Sequence, residues 1–343
     1  MRETDAMDRS KQDRGIPVWS TAEWRASAAE WLDDRLAEAG ILRTGEVEQP
    51  RIRAWATVLR VPTDAGVLWL KASSVETGFE PALYELLVET APEQVLHPIA
   101  SDPARGWVLL PDGGPSLGRT LGEADPSPTL ESVLPAYGRL QLALAGRVDA
   151  LLALGLEDMR PERAGERFDE AAEAVRRAVT SEDVAAYDRA LATRPRFLEW
   201  AAELALSPVP PSLDHNDLHS DNVLVPAGQP GAVPRFYDWG DSVVAHPFAT
   251  MLHGLGWVAA HLHTDHDDPR IVRLQDAYLG AFADYGSPRE LARTLELACR
   301  VAMVARTLTW ARAIAMGDSA TGFERAPLTH FLAIPGRSHL STS

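Results

Sequence analysis

Four things are scarce in this chain of 343 residues: cysteine, lysine, asparagine and any long uncharged apolar run. Cys299 is the only cysteine, so no disulfide can form within the chain, and a reducing compartment is expected. The longest apolar-looking stretch, "CRVAMVARTLTWARAIAM", carries Arg300, Arg306 and Arg312 and cannot cross a bilayer at low cost. The first residues, "MRETDAMDRSKQDRG", lack the apolar segment of a secretory signal, which adds to the expectation of a cytoplasmic protein. A basic excess is missing too. With 33 basic and 49 acidic side chains the formal charge is −16, a sign that repels nucleic acid and anionic lipid and attracts cations. Neither nucleic acid nor membrane is therefore expected as a partner, and nothing implies a protein partner. Apolar residues at 45% and charged ones at 24% are a globular balance, with length enough for two cores.

The patterns change along the chain. "STAEWRASAAEWLDDRLAEAG" has helical spacing, with Ser20 and Glu23 as a capping pair, Trp24, Ala28 and Trp31 on one face, and Gly40 as its end. "RIRAWATVLRV" and "GVLWLKAS" are short and rich in β-branched and aromatic residues, and the turn-like "PTDAG" between them makes a hairpin. "EPALYELLVETA" is helical again, and "GWVLLPDGG" is a strand that breaks at Pro and Gly. Residues 130–206 and 249–316 are helical in pattern, and between them "VLV" and "VPRFYDW" form a small hairpin. A β-rich front and a helical back predict an α+β fold of two lobes. The first is placed at residues 1–110. The second, 111–343, has a hinge at its start, a loop of chemical interest at 213–225 and a second such segment at 236–241.

Scarcity also marks the residues of interest. Lysine occurs twice against 31 arginines, and one of the two, Lys71, ends the apolar strand "VLWLK". A strand-end lysine can simply snorkel. A compact ammonium also fits between phosphate oxygens where a guanidinium is too wide, and Glu80 or Glu85 on the next helix can hold it. Both asparagines of the chain, Asn216 and Asn222, lie in "LDHNDLHSDNVLV". Two functional readings fit that loop. On a strand, His215, Asp217, His219 and Asp221 would share a face and suit a metal-dependent hydrolase. Alternatively Asp217 and Asn222 are the pair of H-x-D-x-x-x-x-N, the Asp accepting a hydroxyl proton and the neutral amide oxygen serving magnesium. The hairpin that follows returns Asp238, of the Asp-aromatic-Gly triplet "DWG", beside Asn222. Phosphoryl transfer uses Lys71, Asp217, Asn222 and Asp238 in order, whereas the zinc reading uses neither Lys71 nor Asn222.

On "WLK", "FEPALYELL", "GWVLLPDGG", "HNDLHSDNVLV" and "YDWGD", spanning roughly residues 69–241, the chain resembles the aminoglycoside phosphotransferase and choline kinase group of the protein-kinase-like fold. The resemblance implies Lys71 as phosphate lysine with Glu80 as its ion-pair partner, Asp217 as catalytic base, and Asn222 and Asp238 as magnesium ligands. His219 matches a histidine common in this small-molecule branch. Asn216 stands where the group usually has Gly, and "SVVAHPFATM" lacks a further acidic residue usual after D-x-G, His246 being its nearest polar side chain. No G-x-G-x-x-G is present, so the "VPTDAG" turn is left to cover the phosphates.

The expectation is an ATP-dependent kinase with two Mg2+ ions in its active complex. Its γ-phosphate would go to a hydroxyl of an aminoglycoside-, amino-sugar- or choline-like metabolite, cationic ones included. Adenine would bind the backbone at Leu109, Leu110, Pro111 and Asp112. Candidates for the acceptor site are His219, Asp241, Asp265 and Trp310. A metal-dependent hydrolase and a catalytically silent nucleotide-binding module stand as alternatives.

Overall fold

The computed structural model describes residues 15–225, 232–315 and 322–336. They fall into two units, one holding the described residues of Met1–Gly114 and Arg312–Ala320, the other those of Pro115–Ala311 and Thr321–Ser343.

In the first unit a helix, α1 (Ala22–Glu38), starts at a cap one residue later than the sequence suggests. Thr21, not Ser20, accepts the Trp24 amide, while the Ser20 hydroxyl donates backward to Ile16 O at 2.7 Å. Adjacent hydroxyl residues make the cap register ambiguous, and the backbone bond to Ile16 decides it. The helix ends at Gly40, whose φ of 69° is in the left-handed region a Cβ disfavours.

Five strands follow: β1 (Glu48–Ile52), β2 (Ala56–Thr63), β3 (Gly66–Ser73), β4 (Ala100–Asp102) and β5 (Trp107–Pro111). They form an antiparallel sheet in the order β1-β2-β3-β5-β4. Alternate residues of β2 and β3 are buried, as strands with one covered face require. Leu59, Val61, Leu68, Leu70 and Leu109 meet Trp24, Ala28, Trp31, Leu32 and Leu36 of α1. Trp107 of β5 takes both helix tryptophans edge-on, with centroids 5.9 and 5.5 Å apart, and such pairs add about 0.5–1.5 kcal/mol each beyond area. A further helix, α2 (Glu80–Thr90), buries Glu80, Leu83, Tyr84 and Leu87, one face at helical spacing.

The second unit is helical. Among its helices are α3 (Ser127–Leu144), α4 (Met251–His261), α5 (Pro269–Gly280) and α6 (Pro288–Ala315), the last of which runs on past Ala311, where this unit's share of it ends. α3 and α5 pack closely because Gly138 has no Cβ; one there would lie 2.9 Å from the Phe282 ring. Phe248, Tyr278 and Phe282 fill the space beside them, edge to face. The sole cysteine, Cys299, is fully buried in α6, its thiol directed at Phe248 O at 3.8 Å, and burial pushes that thiol far above its usual range. Short strands frame the loop 213–222. β6 (Glu157–Asp158), β7 (Ser212–Asp214) and β10 (Val243–Ala245) pair in the order β6-β10-β7, and β8 (Val223–Leu224) pairs with β9 (Arg235–Phe236). The turn "PAGQPGA" joining β8 to β9 lies almost wholly outside the described residues, as do residues 1–14. No helix among the described residues is long and apolar enough to cross a membrane.

Candidate active site

The first unit supplies an ion pair. Lys71, on β3, sets its ammonium 2.8 and 2.6 Å from the two carboxylate oxygens of Glu80, in the first turn of α2. Ser73 Oγ donates to the same carboxylate at 3.2 Å. Glu80 is fully buried and the Lys71 side chain 15% exposed. Removing one partner of such a pair costs about 3–5 kcal/mol, whereas its net worth when intact is small. Glu85, the other candidate for the lysine, bonds Ser101 instead. At the "VPTDAG" turn, Thr63 Oγ1 donates to Gly66 O at 2.6 Å, and Asp64 exchanges bonds with Leu42 through its amide and its carboxylate. In the segment expected to take adenine, Leu109 O already accepts the Ile99 amide at 2.7 Å. The Asp112 amide donates to Val67 O at 3.1 Å, and the Asp112 carboxylate accepts the Gly114 amide at 2.8 Å.

The second unit supplies the loop. β7 ends at Asp214, and Asn216 then takes φ 59°, a left-handed turn that its short amide side chain tolerates. That turn overturns the alternation expected for a strand. His215 and Asp217 no longer share a face, and residues 220–222 close a 3₁₀ turn. The His215 ring lies 3.0 Å from Tyr237 O and packs on Trp239, and Asp221 accepts the Ser116 hydroxyl at 2.8 Å. The four-residue metal cluster His215/Asp217/His219/Asp221 therefore does not form. Gly118 lets the short helix Leu117–Leu121 rest on this turn, since a Cβ there would run into Asp221 Oδ1.

Asp217 stands at the centre. His253 Nε2 from α4 lies 3.2 Å and Arg306 Nη2 from α6 lies 3.4 Å from its Oδ1; His219 Nε2 lies 3.5 Å from its Oδ2. Burial pushes this carboxyl upward, but the His219 hydrogen bond and the Arg306 charge, with His253, outweigh it and hold Asp217 well below the usual carboxylate range. For His219 burial pulls down, and the Asp217 hydrogen bond and the charges of Asp217, Asp221 and Asp238 raise it further. Asp217, His219 and His253 bring one ligand atom each within 4.8 Å, a set different from the one read in the sequence. Arg306 already lies beside one oxygen of that carboxylate, and the His219 ring is engaged on both sides, its Nδ1 3.2 Å from the Asp221 amide and its Nε2 3.2 Å from the Asn222 amide nitrogen.

Asn222 is 5% exposed and turns its amide nitrogen inward, to Asp217 O at 2.9 Å and Asp217 Oδ2 at 3.3 Å. The same nitrogen lies 3.2 Å from His219 Nε2. β8 and β9 pair Val223 with Phe236, so the Tyr237 amide reaches Asn222 O at 3.3 Å and Asp238 follows at once. Asp238 adopts φ 63° and ψ 63°, and its charge reaches both His215 and His219. Asn222, immediately before β8, and Asp238, two residues beyond β9, are oxygen donors at the same end of that strand pair, and the sole cysteine is buried in α6. Hard oxygen donors of this kind fit magnesium.

Of the acceptor-site candidates, His219 is at Asp217, and Asp241 lies 3.6 Å from Arg306 Nη1. Trp310 lies under the Arg306 guanidinium at 5.6 Å and beside Phe323 at 5.0 Å. Asp265 is not brought to them: it is exposed in the turn after α4, where its carbonyl accepts the Asp268 amide. Sequence reading missed His253 and Arg306, and also Asp214. This last is fully buried, its Oδ1 accepting the Asn216 amide at 2.7 Å and the Thr250 hydroxyl at 2.6 Å, and burial pushes it up to about 6. Through these two bonds it ties the loop to Thr250. His246 does not take that role, since its ring lies 3.1 Å from Ser207 Oγ and accepts the Phe248 amide.

His246 carries a pH prediction. It is 4% exposed, and burial pushes it down to about 3 from an ordinary 6.5. Below pH 6.5 the unfolded chain binds a proton that the folded chain refuses, so this contribution is whole above 6.5 and fades as pH falls toward 3. The slope is about 1.4 kcal/mol per pH unit at most. Asp214 acts the other way, its contribution present below 3.8 and lost as pH rises through about 6. His253 and His330, pushed down to about 3 and about 4, tip the balance toward acid lability. Melting temperature should fall between pH 6.5 and 4, less steeply in His246→Gln. Parallel curves for the two proteins would remove His246 as a cause.

The matches to known proteins agree with this geometry. Residues 41–291 match the phosphotransferase enzyme family. The chain belongs to that family, and is a kinase whose acceptor group is an alcohol. Among solved structures it is similar to a macrolide 2'-phosphotransferase type I (17% identity, 92% of this chain and 97% of that one, TM-score 0.58). A choline kinase from Cryptosporidium parvum Iowa II aligns at 15% identity over 87% of this chain and 90% of that one, with TM-score 0.58. An amicoumacin kinase in complex with AMP-PNP and Ca2+ aligns at 12% identity over 90% and 97%, with TM-score 0.55. No curated protein sequence matches significantly. At such identities the solved structures establish the fold and no more.

Proposed function

We propose that the protein transfers the γ-phosphate of ATP to a hydroxyl of a small aminoglycoside-, amino-sugar- or choline-like metabolite. The observation that carries this is the state of Asp217. It is a charged carboxylate, partly exposed at 29%, fixed from both sides by His219 and His253 and tied to Asn222. A carboxylate in that state accepts the proton of an approaching hydroxyl as the oxygen attacks phosphorus. Lys71, oriented by Glu80, holds phosphate oxygens as a compact donor, and backbone at Leu109, Leu110, Pro111 and Asp112 receives the adenine. Asn222 and Asp238 would hold magnesium, two ions in the active complex, which when bound offset the charge of the phosphates. His219, Asp241 and Trp310 are proposed for the acceptor side, and the acidic net charge of the chain favours a cationic acceptor. The lobes proposed for nucleotide and acceptor are residues 1–110 and 111–343, and a cytoplasmic place suits the single cysteine.

ADP release measured across a panel of hydroxylated amines and amino sugars tests the reading. Turnover is expected with at least one of them, to require millimolar-range magnesium or manganese, and to survive a zinc-selective chelator. Turnover without nucleotide, or one stoichiometric zinc ion in the purified protein, would point to the hydrolase instead.

A further inference from the structure

Arg306 is 4% exposed in the apolar middle of α6, between Ala302, Met303 and Thr309. A buried guanidinium persists only where anionic and carbonyl oxygens replace its water. Its Nη1 donates to Asn216 O, within the left-handed turn, and lies 3.6 Å from Asp241 Oδ2; its Nη2 lies 3.4 Å from Asp217 Oδ1. The Trp310 ring, 5.6 Å from its central carbon, supports its other side. One residue before Trp310, and three after Arg306, Thr309 Oγ1 accepts the Asn216 side-chain amide at 2.8 Å, and the same amide donates to Asp241 O at 3.2 Å. One face of a single helix thus holds both the base loop and the segment after Asp238.

We propose that Arg306 is a positioning residue, a clamp that fixes the Asp217 carboxylate and joins the loop 214–217 to the segment 239–241. It takes no proton and touches no phosphate. The αL turn at Asn216 is a conformation few residues adopt, and the planar fork meets the Asn216 carbonyl and the Asp217 carboxylate at once. A misplacement of about 1 Å at a reacting group can cost about 10²-fold in rate. A merely structural arginine would change stability instead, with no preference for this loop.

This inference rests on the kinase reading for its kinetic arm only. Arg306→Met keeps the stem on Trp310 and removes the fork. With MgATP and water as acceptor, its kcat for ADP release should fall by about 10- to 100-fold while KM for MgATP stays within about twofold. In Arg306→Ala, added guanidinium chloride at non-denaturing concentration should restore part of the rate, and Lys should rescue less than half of it. Amide hydrogen exchange is the arm independent of catalysis: in Arg306→Met the Asn216 and Asp217 amides should exchange faster by tenfold or more relative to α3, with melting temperature little changed (about 10-fold is 1.4 kcal/mol of local opening). Unchanged exchange at these amides overturns the clamp whatever the activity. Faster exchange in Arg306→Met, together with a wild-type protein that releases no ADP, keeps the clamp and sinks the kinase reading. Loss of kcat with no guanidinium response, or with unfolding of the whole unit, reduces Arg306 to a structural residue.

Discussion

Asp217→Asn is expected to lower turnover by about 10²- to 10⁴-fold and to leave ATP affinity nearly unchanged. The amide is almost the same shape as the carboxylate, so the left-handed turn at Asn216 and the Asn222 contact to Asp217 O persist. What disappears is the charge that His219, His253 and Arg306 surround. An amide oxygen is far too weakly basic to accept the hydroxyl proton as the new bond to phosphorus forms. Nucleotide contacts assigned to Lys71 and to Leu109–Asp112 are untouched, so calorimetric ADP binding should match wild type. Near-normal ADP production in this variant would remove Asp217 from the chemistry. A large loss of ADP affinity would show that the loop had collapsed.

Lys71→Arg is expected to stay folded and to lose most of its kinase activity. The new side chain keeps the positive charge, so fully buried Glu80 is not left unpaired, and melting temperature should remain near wild type. The guanidinium, however, is planar and wider than the ammonium. It cannot bond both Glu80 oxygens and still present a compact donor to phosphate. Glu80→Gln should be impaired in the same direction but less, because it orients the lysine without meeting the nucleotide. The comparison is sharp here because arginine serves at 31 other positions of this chain. Steady-state ADP production by Lys71→Arg at wild-type rate would make the lysine an accident of composition.

Contacts close in sequence, or carried by a regular period, were legible before the structure. The strand pair β2–β3 and the buried face of α1 follow from periods of two or 3.6 residues, which left Glu80 and Glu85 both open to Lys71; the family resemblance singled out Glu80. The positive φ at Asn216 was also readable, because Asn is among the few side chains that accept it. That same turn defeated the strand reading of His215 to Asp221, since alternation holds only while the backbone stays extended. His253 and Arg306 carried no such mark. The arginine lies 90 positions from the carbonyl it bonds, and on a helix with Arg300 and Arg312 it looks like another snorkelling cation. Asp265 is exposed in the turn after α4, since an acidic, polar stretch suits solvent as well as it suits a ligand.

Cys299 has a consequence outside catalysis. A thiol with no exposure, held protonated by burial and facing a carbonyl, offers neither the thiolate that peroxide and disulfides attack nor a path for them to reach it. With no second cysteine in the chain, folded molecules cannot cross-link to one another through sulfur or accept glutathione. The folded protein is silent toward thiol exchange, and its activity should not follow the thiol balance of its surroundings. An introduced surface cysteine would be the single reactive sulfur in the molecule.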